Sequence, residues 1–315
     1  MNMPKISVVM PLYNKGLSVT KSIHSVLAQT EPDFELLVVN DGSTDDGEYA
    51  VRRIQDERIR LINQSNNGEG AARNRGINES KSGLIAFVDA DDEWLPHFLS
   101  TVLALANFFP EAGAYSTAFF ACQDGKIKRH PYVETEFPLG GEIVHNYFRC
   151  CTLGSSMICS SCVLIRKEVF DKVGVFPVGV KGGADLHMWS RIALHYAIAW
   201  SPLECAIWHL SAENRCAGKV VAQDHPCASL IEEALRESNL PSNFAFWMRE
   251  YLCRLRMNYS EVALTHGDLD LARRLLWKAK STIVLRNRWR LLALRLYTPA
   301  WLRSIRRAII NHKIT

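Results

Sequence analysis

The first third of the chain alternates short apolar strands with amphipathic helices, and this alternation constrains the fold more than any other feature. Runs rich in β-formers lie at Ile6–Met10, Leu36–Val39, Ile59–Ile62 and Leu84–Val88, and helical periodicity fills residues 17–28, 46–55, 69–80 and 95–108. Runs such as "LLVV" have no polar face, so these strands need cover on both sides. The pattern therefore predicts an α/β fold in which a mainly parallel sheet is flanked by helices.

The remainder of the chain predicts a few more strands and then a helical region. Three strands and one helix are expected near residues 113–122, 162–166, 205–210 and 186–196. From about residue 216 onward the periodicity is helical. Within that region Gly267 predicts a turn and Asp268 predicts the cap of the following helix.

Composition excludes several classes of protein. With 315 residues, of which 48% are hydrophobic and 22% charged, the chain is typical of globular proteins. Ile6–Met10 is too short for the core of a signal peptide, and the longest apolar stretch, 98–109, is too short to span a bilayer. We therefore expect a cytoplasmic protein with mostly reduced cysteines. Cys159 and Cys162 form a CxxC pair, but no second pair or suitably spaced histidine accompanies it, so zinc is not expected.

Polar clusters follow three of the predicted strands. They read "PLYN" at 11–14, "NDGSTDDG" at 40–47 and "DADDE" at 89–93. Ligands of open α/β sheets bind beyond the carboxyl ends of the strands. We therefore expect all three clusters to lie on one edge of the sheet, where a ligand would bind.

The aspartate cluster after the fourth strand has two interpretations. If the backbone stays extended there, Asp89 and Asp91 share a side and Asp92 points the other way. Such a sparse pair suits a hard divalent cation that keeps waters and substrate phosphates as its other ligands. Alternatively, Asp92 or Glu93 begins a helix that starts near Trp94.

Two further motifs leave alternatives open. "NDGSTDDG" is not a calcium loop, because Asp46 stands where glycine is required, so Asp41 either receives donors of a base or ribose or belongs to a solvated turn. "NNGEGAARNRG" departs from the dinucleotide fingerprint, because Arg73 stands where the third glycine belongs. Arg73 and Arg75 either hold an anion at the start of a helix or lie solvated on its surface.

Two residues of the second half are also candidates. Asp185, in "GGADLHMWSRI", lies at a helix start, where it is either a cap or a functional carboxylate. His209 ends the strand "CAIWHL" and is either a metal ligand or a partly buried histidine.

Taken in order, these motifs resemble a known family. "ISVVMPLYNKG", "VVNDGSTDDG", "NNGEGAARNRGI", "IAFVDADD" and "GADLHMWSR" are similar to the successive motifs of family 2 glycosyltransferases, which are inverting enzymes of the GT-A nucleotide-sugar fold. The match spans about residues 5–215. The resemblance implies a Rossmann-like GT-A catalytic domain at 1–215. The helical periodicity after it predicts a C-terminal region at 216–315 that ends in a basic amphipathic tail.

The resemblance also implies roles for individual residues. The nucleotide sugar is expected to contact Pro11, Tyr13, Asp41, Arg73 and Asp89. The metal is expected at Asp91 and His209, with Asp92 as an alternative to Asp91, and the general base at Asp185. The implied cofactor is Mn²⁺ or Mg²⁺, and the implied donor is by default a UDP-sugar. Ala184 replaces the usual glutamate of the family motif, which implies an altered acceptor contact or a weaker enzyme.

Other classes of function remain as alternatives. A catalytically silent nucleotide-sugar binding or scaffold protein would be free to lose at least one of Asp41, Asp89, Asp91 and Asp185, whereas this chain retains all four. A nucleotidyltransferase would carry a glycine-rich, basic signature after the first strand, and "PLYNKG" does not match it. The expected acceptor is a cell-surface glycan or its lipid-linked precursor.

The C-terminal tail is strongly basic. From Ser281 to Thr315 the chain has seven arginines and one lysine and no acidic residue. Such a tail suits either an interfacial helix at the anionic inner face of the cell membrane or a packed helix with solvated arginines. Nucleic acid is not an expected partner, since no nucleic-acid-binding motif accompanies the basic residues of the tail.

Overall fold

A computed structural model describes residues 3–132, 137–180, 182–211, 223–237 and 239–298. The chain divides into two compact units, Met1–Cys216 and Ala217–Thr315. In the part of the chain that the structure describes, no helix is long and apolar enough to cross a membrane.

The first unit contains a single mixed sheet with helices. Its strands are β1 (Ile6–Leu12), β2 (Phe34–Asp41), β3 (Ile59–Gln64), β4 (Leu84–Phe87), β5 (Glu93–Trp94), β6 (Ala112–Gln123), β7 (Lys126–Arg129), β8 (Glu142–Ile143), β9 (Val163–Arg166) and β10 (Ala197–His209). Its helices are α1 (Val19–Leu27), α2 (Gly47–Arg52), α3 (Glu69–Glu79), α4 (Phe98–Phe108), α5 (Tyr147–Leu153), α6 (Lys167–Val173) and α7 (Ala184–His195).

The sheet has the order β3-β2-β1-β4-β9-β6-β10-β5, with β7 paired to β6 and β8 to β10. The first four strands are parallel, as their alternation with helices predicts. β9 then runs antiparallel between β4 and β6, whereas β10 is parallel to β6. The predicted α/β fold is therefore confirmed, with a parallel first half and a mixed second half of the sheet.

Apolar periodicity explains how the sheet is covered. β2 is buried along its whole length, as expected of a strand without a polar face. On α1 the buried Val19, Ile23 and Val26 recur at helical spacing and join the core. α3 lies close to the sheet, because a Cβ at Gly76 would meet Val9 Cγ1 at 2.3 Å. Only glycine permits this approach, which sets the position of the polar side of α3.

β10 is longer than the predicted strand 205–210. It begins at Ala197 and shifts register against β6 between Ser201 and Glu204. Pro202 lies within this shift, where its missing N–H costs no ladder hydrogen bond. Pro202 therefore prevents the full strand from being predicted from the sequence, although the strand forms in the structure.

The second unit is helical in its described residues, as predicted. It contains α8 (Cys227–Glu237), α9 (Ser242–Thr265), α10 (Leu269–Lys278) and α11 (Arg286–Tyr297). Gly267 adopts a φ of 83° between α9 and α10, and Asp268 Oδ1 accepts a hydrogen bond from the Leu271 N–H at 2.9 Å. The predicted turn and helix cap are therefore confirmed.

Candidate active site

The polar clusters after β1, β2 and β4 lie at one edge of the sheet, as predicted. β1 pairs in parallel with β2 on one side and with β4 on the other. The carboxyl ends of three adjacent strands therefore meet at this edge. Tyr13, Asp41 and Asp89 stand at or just beyond these ends.

The loops after β1 and β2 are fixed to one another. Asn14 adopts a left-handed φ of 50°; its Oδ1 accepts from the Thr44 N–H at 2.8 Å, and its own N–H donates to Ser43 Oγ at 3.1 Å. Tyr13 is 45% exposed at this edge, whereas Pro11 is a partly buried residue of β1. The Tyr13 ring is therefore presented to solvent from a well-anchored loop.

Asp41 shapes the loop that leads into α3. Its carboxylate is buried and accepts three hydrogen bonds, from Gln64 Nε2 at 2.7 Å, the Asn67 N–H at 2.9 Å and the Gly68 N–H at 2.8 Å. Gly68 has a φ of 89°, a conformation that favours glycine. A nucleoside bound at Asp41 would share these oxygens with backbone donors of the protein.

Arg73 is a buried cation at the centre of the site. It is 1% exposed, and its Nη2 donates to Asp89 Oδ1 at 2.7 Å and also contacts Glu69. Its guanidinium lies 5.3 Å from the ring centroid of Phe176. Burial alone would lower the pKa of Arg73, but the negative charges of Glu69, Asp89 and Asp185 outweigh it and raise the pKa. Arg73 is therefore a permanent charge, and the prediction of a solvated surface arginine is wrong for this residue.

α3 is joined to the segment that precedes α7. The Asn74 side chain donates to the Phe176 carbonyl at 2.8 Å and accepts from the Phe176 N–H at 2.9 Å. A Cβ at Gly70 would lie 2.6 Å from the Pro177 carbonyl oxygen, so only glycine allows the two segments to pack so closely. This junction brings the start of α7 towards the carboxylates beside Arg73.

Asp185 lies in the first turn of α7 and is partly buried. Gly183, with a φ of 78°, is the N-cap, so the prediction that Asp185 caps the helix is wrong. Burial raises the pKa of Asp185, with the charge of Asp89 adding to it, while the Leu186 N–H and Arg73 oppose the shift. Asp185 therefore accepts a proton more readily than an ordinary aspartate.

Asp91 is paired with Lys15. The Lys15 Nζ lies 2.6 Å from Asp91 Oδ2, and the side chains are 14% and 13% exposed. Burial raises the pKa of Asp91, and the charge of Asp89 adds to this, whereas Lys15 lowers it. Ser18 Oγ also donates to the Ala90 carbonyl at 3.0 Å, which holds the same two segments together.

The backbone at the aspartate cluster is a turn, and the prediction of an extended segment is wrong. β4 ends at Phe87, and the Asp92 N–H donates to the Asp89 carbonyl at 3.1 Å. Asp92 is 1% exposed; its carboxylate accepts from Ser161 Oγ and, at 2.9 Å, from the His209 N–H. Burial raises the pKa of Asp92 well above its usual value. Asp92 thus joins this turn to the end of β10.

Glu93 does not begin a helix, contrary to the alternative prediction. Glu93 and Trp94 form β5, which pairs antiparallel with β10, and α4 begins only at Phe98. The buried Trp94 ring explains the difference, because its Nε1 donates to the Ser161 carbonyl at 2.6 Å. Glu93 faces His209 Nε2 and also lies 2.6 Å from Lys21 Nζ.

The site suits a metal ion that takes few ligands from the protein and most from a bound diphosphate and water. Among the described residues no group of three or more histidine, cysteine, aspartate or glutamate side chains is arranged to hold an ion. Asp91 offers a hard carboxylate, which suits Mn²⁺ or Mg²⁺ if a diphosphate and water supply the other oxygens. His209 contacts Glu93, so its role as a metal ligand stays a prediction.

Four residues of the site were not predicted as functional. They are Lys15, Glu69, Glu93 and Ser161. Lys15 carries a recognisable signal, because it is the one cation of the cluster "PLYNKG". Ser161 carries none, although its hydroxyl also accepts from the Asp89 N–H at 3.1 Å.

Comparison with known proteins identifies the family. The model of glycosyl transferase family 2 matches residues 7–174, more than half of the chain. The chain belongs to glycosyl transferase family 2. The resemblance inferred from the ordered motifs is therefore confirmed.

Curated relatives of this glycosyltransferase match only part of the chain. An uncharacterized glycosyltransferase of Nostoc sp. is 40% identical over 177 residues, which cover 55% of this chain and 54% of the relative. The Escherichia coli UDP-Glc:alpha-D-GlcNAc-diphosphoundecaprenol beta-1,3-glucosyltransferase is 37% identical over 101 residues, or 32% of this chain and 40% of that protein. The chain spans about half the length, or less, of the first curated relatives it matches.

Solved structures share the fold of this family 2 glycosyltransferase. S. aureus TarS 1–349 in complex with UDP-GlcNAc has a TM-score of 0.68 at 15% identity, covering 93% of this chain and 89% of that one. The mannosyltransferase PcManGT from Pyrobaculum calidifontis, in complex with GDP-Man and Mn²⁺, has a TM-score of 0.58 at 19% identity, with 96% and 83% covered. The predicted GT-A fold followed by a helical region is therefore confirmed.

Proposed function

We propose that this chain is an inverting glycosyltransferase that moves a sugar from a nucleotide-diphosphate donor to an acceptor hydroxyl in a single displacement. The observation that carries the proposal is the cluster of Arg73, Asp89 and Asp185, which come from α3, the end of β4 and the start of α7. Glu69, Asp89 and Asp185 surround this one buried arginine at the sheet edge, and three carboxylates are more than its single charge needs. An inverting transfer needs one carboxylate as the base for the acceptor hydroxyl, and a second carboxylate can position the donor.

Asp185 is the proposed general base. Its carboxylate takes the proton from the acceptor hydroxyl as that oxygen attacks the anomeric carbon opposite the leaving diphosphate, so the anomeric configuration inverts. The raised pKa of Asp185 supports this role, because a stronger base takes the proton more completely. Ala184 offers no carboxylate at the position of the family's usual glutamate, which alters the acceptor contact or weakens the enzyme.

The donor is proposed to bind across the ends of β1, β2 and β4. Tyr13 and Pro11 line the base, Asp41 receives donors of the nucleoside, and Asp89, held by Arg73, faces the ribose. A UDP-sugar is the preferred donor, because a relative is named for UDP-Glc and a structure of the same fold contains UDP-GlcNAc. The GDP-Man bound to another structure of this fold keeps a guanosine donor as the alternative.

The proposed cofactor is Mn²⁺ or Mg²⁺, held by Asp91 and the donor diphosphate, with His209 as a further ligand. When bound, the ion offsets the charge that develops on the departing diphosphate. Mn²⁺ accompanies the donor in one structure of the same fold. The buried position of Asp92 favours Asp91 over Asp92 as the ligand.

The acceptor is proposed to be a cell-surface glycan or a lipid-linked saccharide, since relatives are named for undecaprenol-linked substrates. The proposed division is a catalytic domain at 1–215 and a helical region at 216–315. The proposed location is the cytoplasm, at the inner face of the membrane, reached through the basic tail. Residues 299–315 of that tail lie outside the described residues.

A donor panel tests the proposal. Release of nucleotide from UDP-, GDP- and dTDP-sugars is measured with lipid-linked acceptors, with Mn²⁺ or with EDTA. We expect release from one class of donor, and only with the metal. Binding of a nucleotide without release from any donor would instead favour the silent nucleotide-sugar binding protein, and no binding would contradict both functions.

A further inference from the structure

Helix α11 has apolar side chains on two opposite sides. Leu292 and Leu296, four residues apart, are each 2% exposed and belong to the core of the second unit. Leu291, Leu294 and Tyr297 are 63%, 61% and 59% exposed. Three-residue steps keep these three on one side of the helix, away from the buried pair. A helix that only covered its own core would carry polar residues there.

Polar contacts fix which side of α11 faces outward. Trp289 Nε1 donates to the Leu276 carbonyl at 2.8 Å. Arg288 donates to Asn258 Oδ1 at 2.7 Å and lies 2.8 Å from Glu261 Oε2. Rotating the exposed leucines inward would break all three contacts and expose the buried pair. The outward apolar side is therefore a stable feature of the helix.

The loop before α11 adds two more apolar side chains. Buried Glu250 accepts hydrogen bonds from Thr282 Oγ1 at 2.6 Å, the Ile283 N–H at 2.7 Å and the Val284 N–H at 3.2 Å. These bonds hold the backbone inward, while the side chains of Ile283 and Val284 remain 62% and 37% exposed. The loop thus presents apolar groups from an anchored backbone.

The charged side chains of α11 and of the loop before it have one sign. Arg286, Arg290 and Arg295 are exposed on α11, and no acidic residue occurs between Ser281 and Thr315. Arginine stems lie along apolar surfaces while their guanidinium groups reach polar headgroups. Leucine and tyrosine on an arginine-rich helix are the composition of interfacial helices on anionic lipid.

We infer that the outward side of α11 and the loop before it, comprising the apolar side chains of Ile283, Val284, Leu291, Leu294 and Tyr297 with the exposed Arg286 and Arg290, docks the chain onto an anionic lipid bilayer. This surface is called the α11 surface below. The inference rests on the proposed use of a lipid-linked acceptor, because such an acceptor is held in the bilayer. The net positive charge favours a lipid surface over a second copy of this equally basic surface, since like charges repel.

Vesicle binding by the full-length chain tests the α11 surface. Co-sedimentation is measured with vesicles of phosphatidylcholine alone and of phosphatidylcholine mixed with phosphatidylglycerol. We expect binding to the mixed vesicles that falls at least about tenfold in the double variant Leu291→Ser and Leu294→Ser, because two apolar anchors are lost. Arg290→Gln is expected to weaken binding about threefold and to reduce its sensitivity to salt.

Leu139→Ser provides the matched control, since Leu139 is a 72% exposed leucine of the first unit. Binding equal to wild type is expected for this control. Three outcomes would overturn the inference: no vesicle binding by the wild type, equal binding by the wild type and the double variant, or binding only after residues 299–315 are removed, which would mean that this segment covers the surface.

Two further measurements separate docking from folding and from the proposed function. Thermal unfolding of the double variant is expected to match the wild type, because both leucines are exposed. UDP binding in solution is expected to be unchanged in the double variant. Vesicle binding without nucleotide binding would contradict the proposed function alone, whereas nucleotide binding without vesicle binding would contradict only the docking.

Discussion

The ammonium of Lys15 lies 2.6 Å from Asp91 Oδ2, in a pair whose side chains are 14% and 13% exposed. The pair joins the loop after β1 to the turn after β4. Lys15 lowers the pKa of Asp91, against the larger effect of burial, which raises it. The lysine therefore neutralises the carboxylate that we assign to the metal, and a divalent cation must compete with it.

Replacing Lys15 is expected to tighten metal binding. In Lys15→Met the competing charge is gone, so the affinity for Mn²⁺ without nucleotide should rise roughly five- to tenfold, as expected from an ion pair worth about 1 kcal/mol. Calorimetric titration with Mn²⁺ measures this. Lys5→Met, at a 57% exposed lysine paired with Glu31, is the control and should change the affinity less than about twofold. Weaker Mn²⁺ binding by Lys15→Met would refute the competition.

Replacing Asp185 is expected to abolish transfer without loss of donor binding. Asp185→Asn keeps the shape of the side chain but removes the base, so kcat should fall at least about a hundredfold. The affinity for UDP should stay within about twofold, measured by calorimetry. Asp171→Asn, at an exposed residue of α6, should leave both quantities unchanged.

The pH profile of the wild type provides a second test of the same residue. A base is active when deprotonated, and burial raises the pKa of Asp185. The acidic limb of kcat/KM should therefore lie above the ordinary aspartate value of about 3.9. Transfer that persists in Asp185→Asn with the same acidic limb would show that another group is the base.

The positions of the strand ends could be predicted from the sequence, because they depend on local patterns. Apolar runs and the residues that end them identify β1, β2 and β4, and the rule for parallel sheets then places Tyr13, Asp41 and Asp89 on one edge. The path of the chain after β4 could not be predicted in this way. The turn at Asp89 and the strand at Glu93 depend on Ser161 and on β10, which are distant in sequence and carry no local signal.

The ion-pair partners of the charged residues could not be predicted from the sequence either. The sequence indicates that Arg73 and Asp89 are important but not that they bind each other. Lys15 is 76 residues away from Asp91, and Asp92 is buried although its neighbour Asp91 is not fully so. Such pairings arise when tertiary packing brings strand ends together, so a pattern within one segment does not contain them.

Replacing Arg73 is expected to destabilise the protein strongly. Arg73→Met leaves Asp89 and Glu69, whose side chains are 26% and 46% exposed, without their shared cation, and this loss is expected to cost about 2 kcal/mol in the free energy of unfolding. Arg75→Met is the matched control two residues along α3, since Arg75 is 48% exposed in a pair with Glu79 and should cost less than about 0.5 kcal/mol. The free energies of unfolding of the two variants are compared by urea unfolding monitored by circular dichroism. Similar losses of unfolding free energy in both variants would show that burial of Arg73 does not increase its contribution to stability.

Replacing Asp92 is expected to change how stability depends on pH. Burial raises the folded-state pKa of Asp92 well above its unfolded value. The folded state then takes up a proton at higher pH than the unfolded state, so this residue stabilises the fold as pH falls and the contribution is lost as pH rises through the folded pKa. Asp92→Asn cannot take up this proton, and the oxygen of its side-chain amide can still accept a hydrogen bond from the His209 N–H.

The free energy of unfolding of Asp92→Asn relative to wild type should therefore be greatest at high pH and decline on acidification, by at most about 1.4 kcal/mol per pH unit. Unfolding in urea between about pH 5 and pH 8 measures this difference. Asp56→Asn should show the opposite trend on extending the series to lower pH, because the hydrogen bond from Arg58 lowers the pKa of Asp56 and its contribution is lost in acid. A difference for Asp92→Asn that is constant with pH, or that grows on acidification, would mean that Asp92 is already charged in the folded protein.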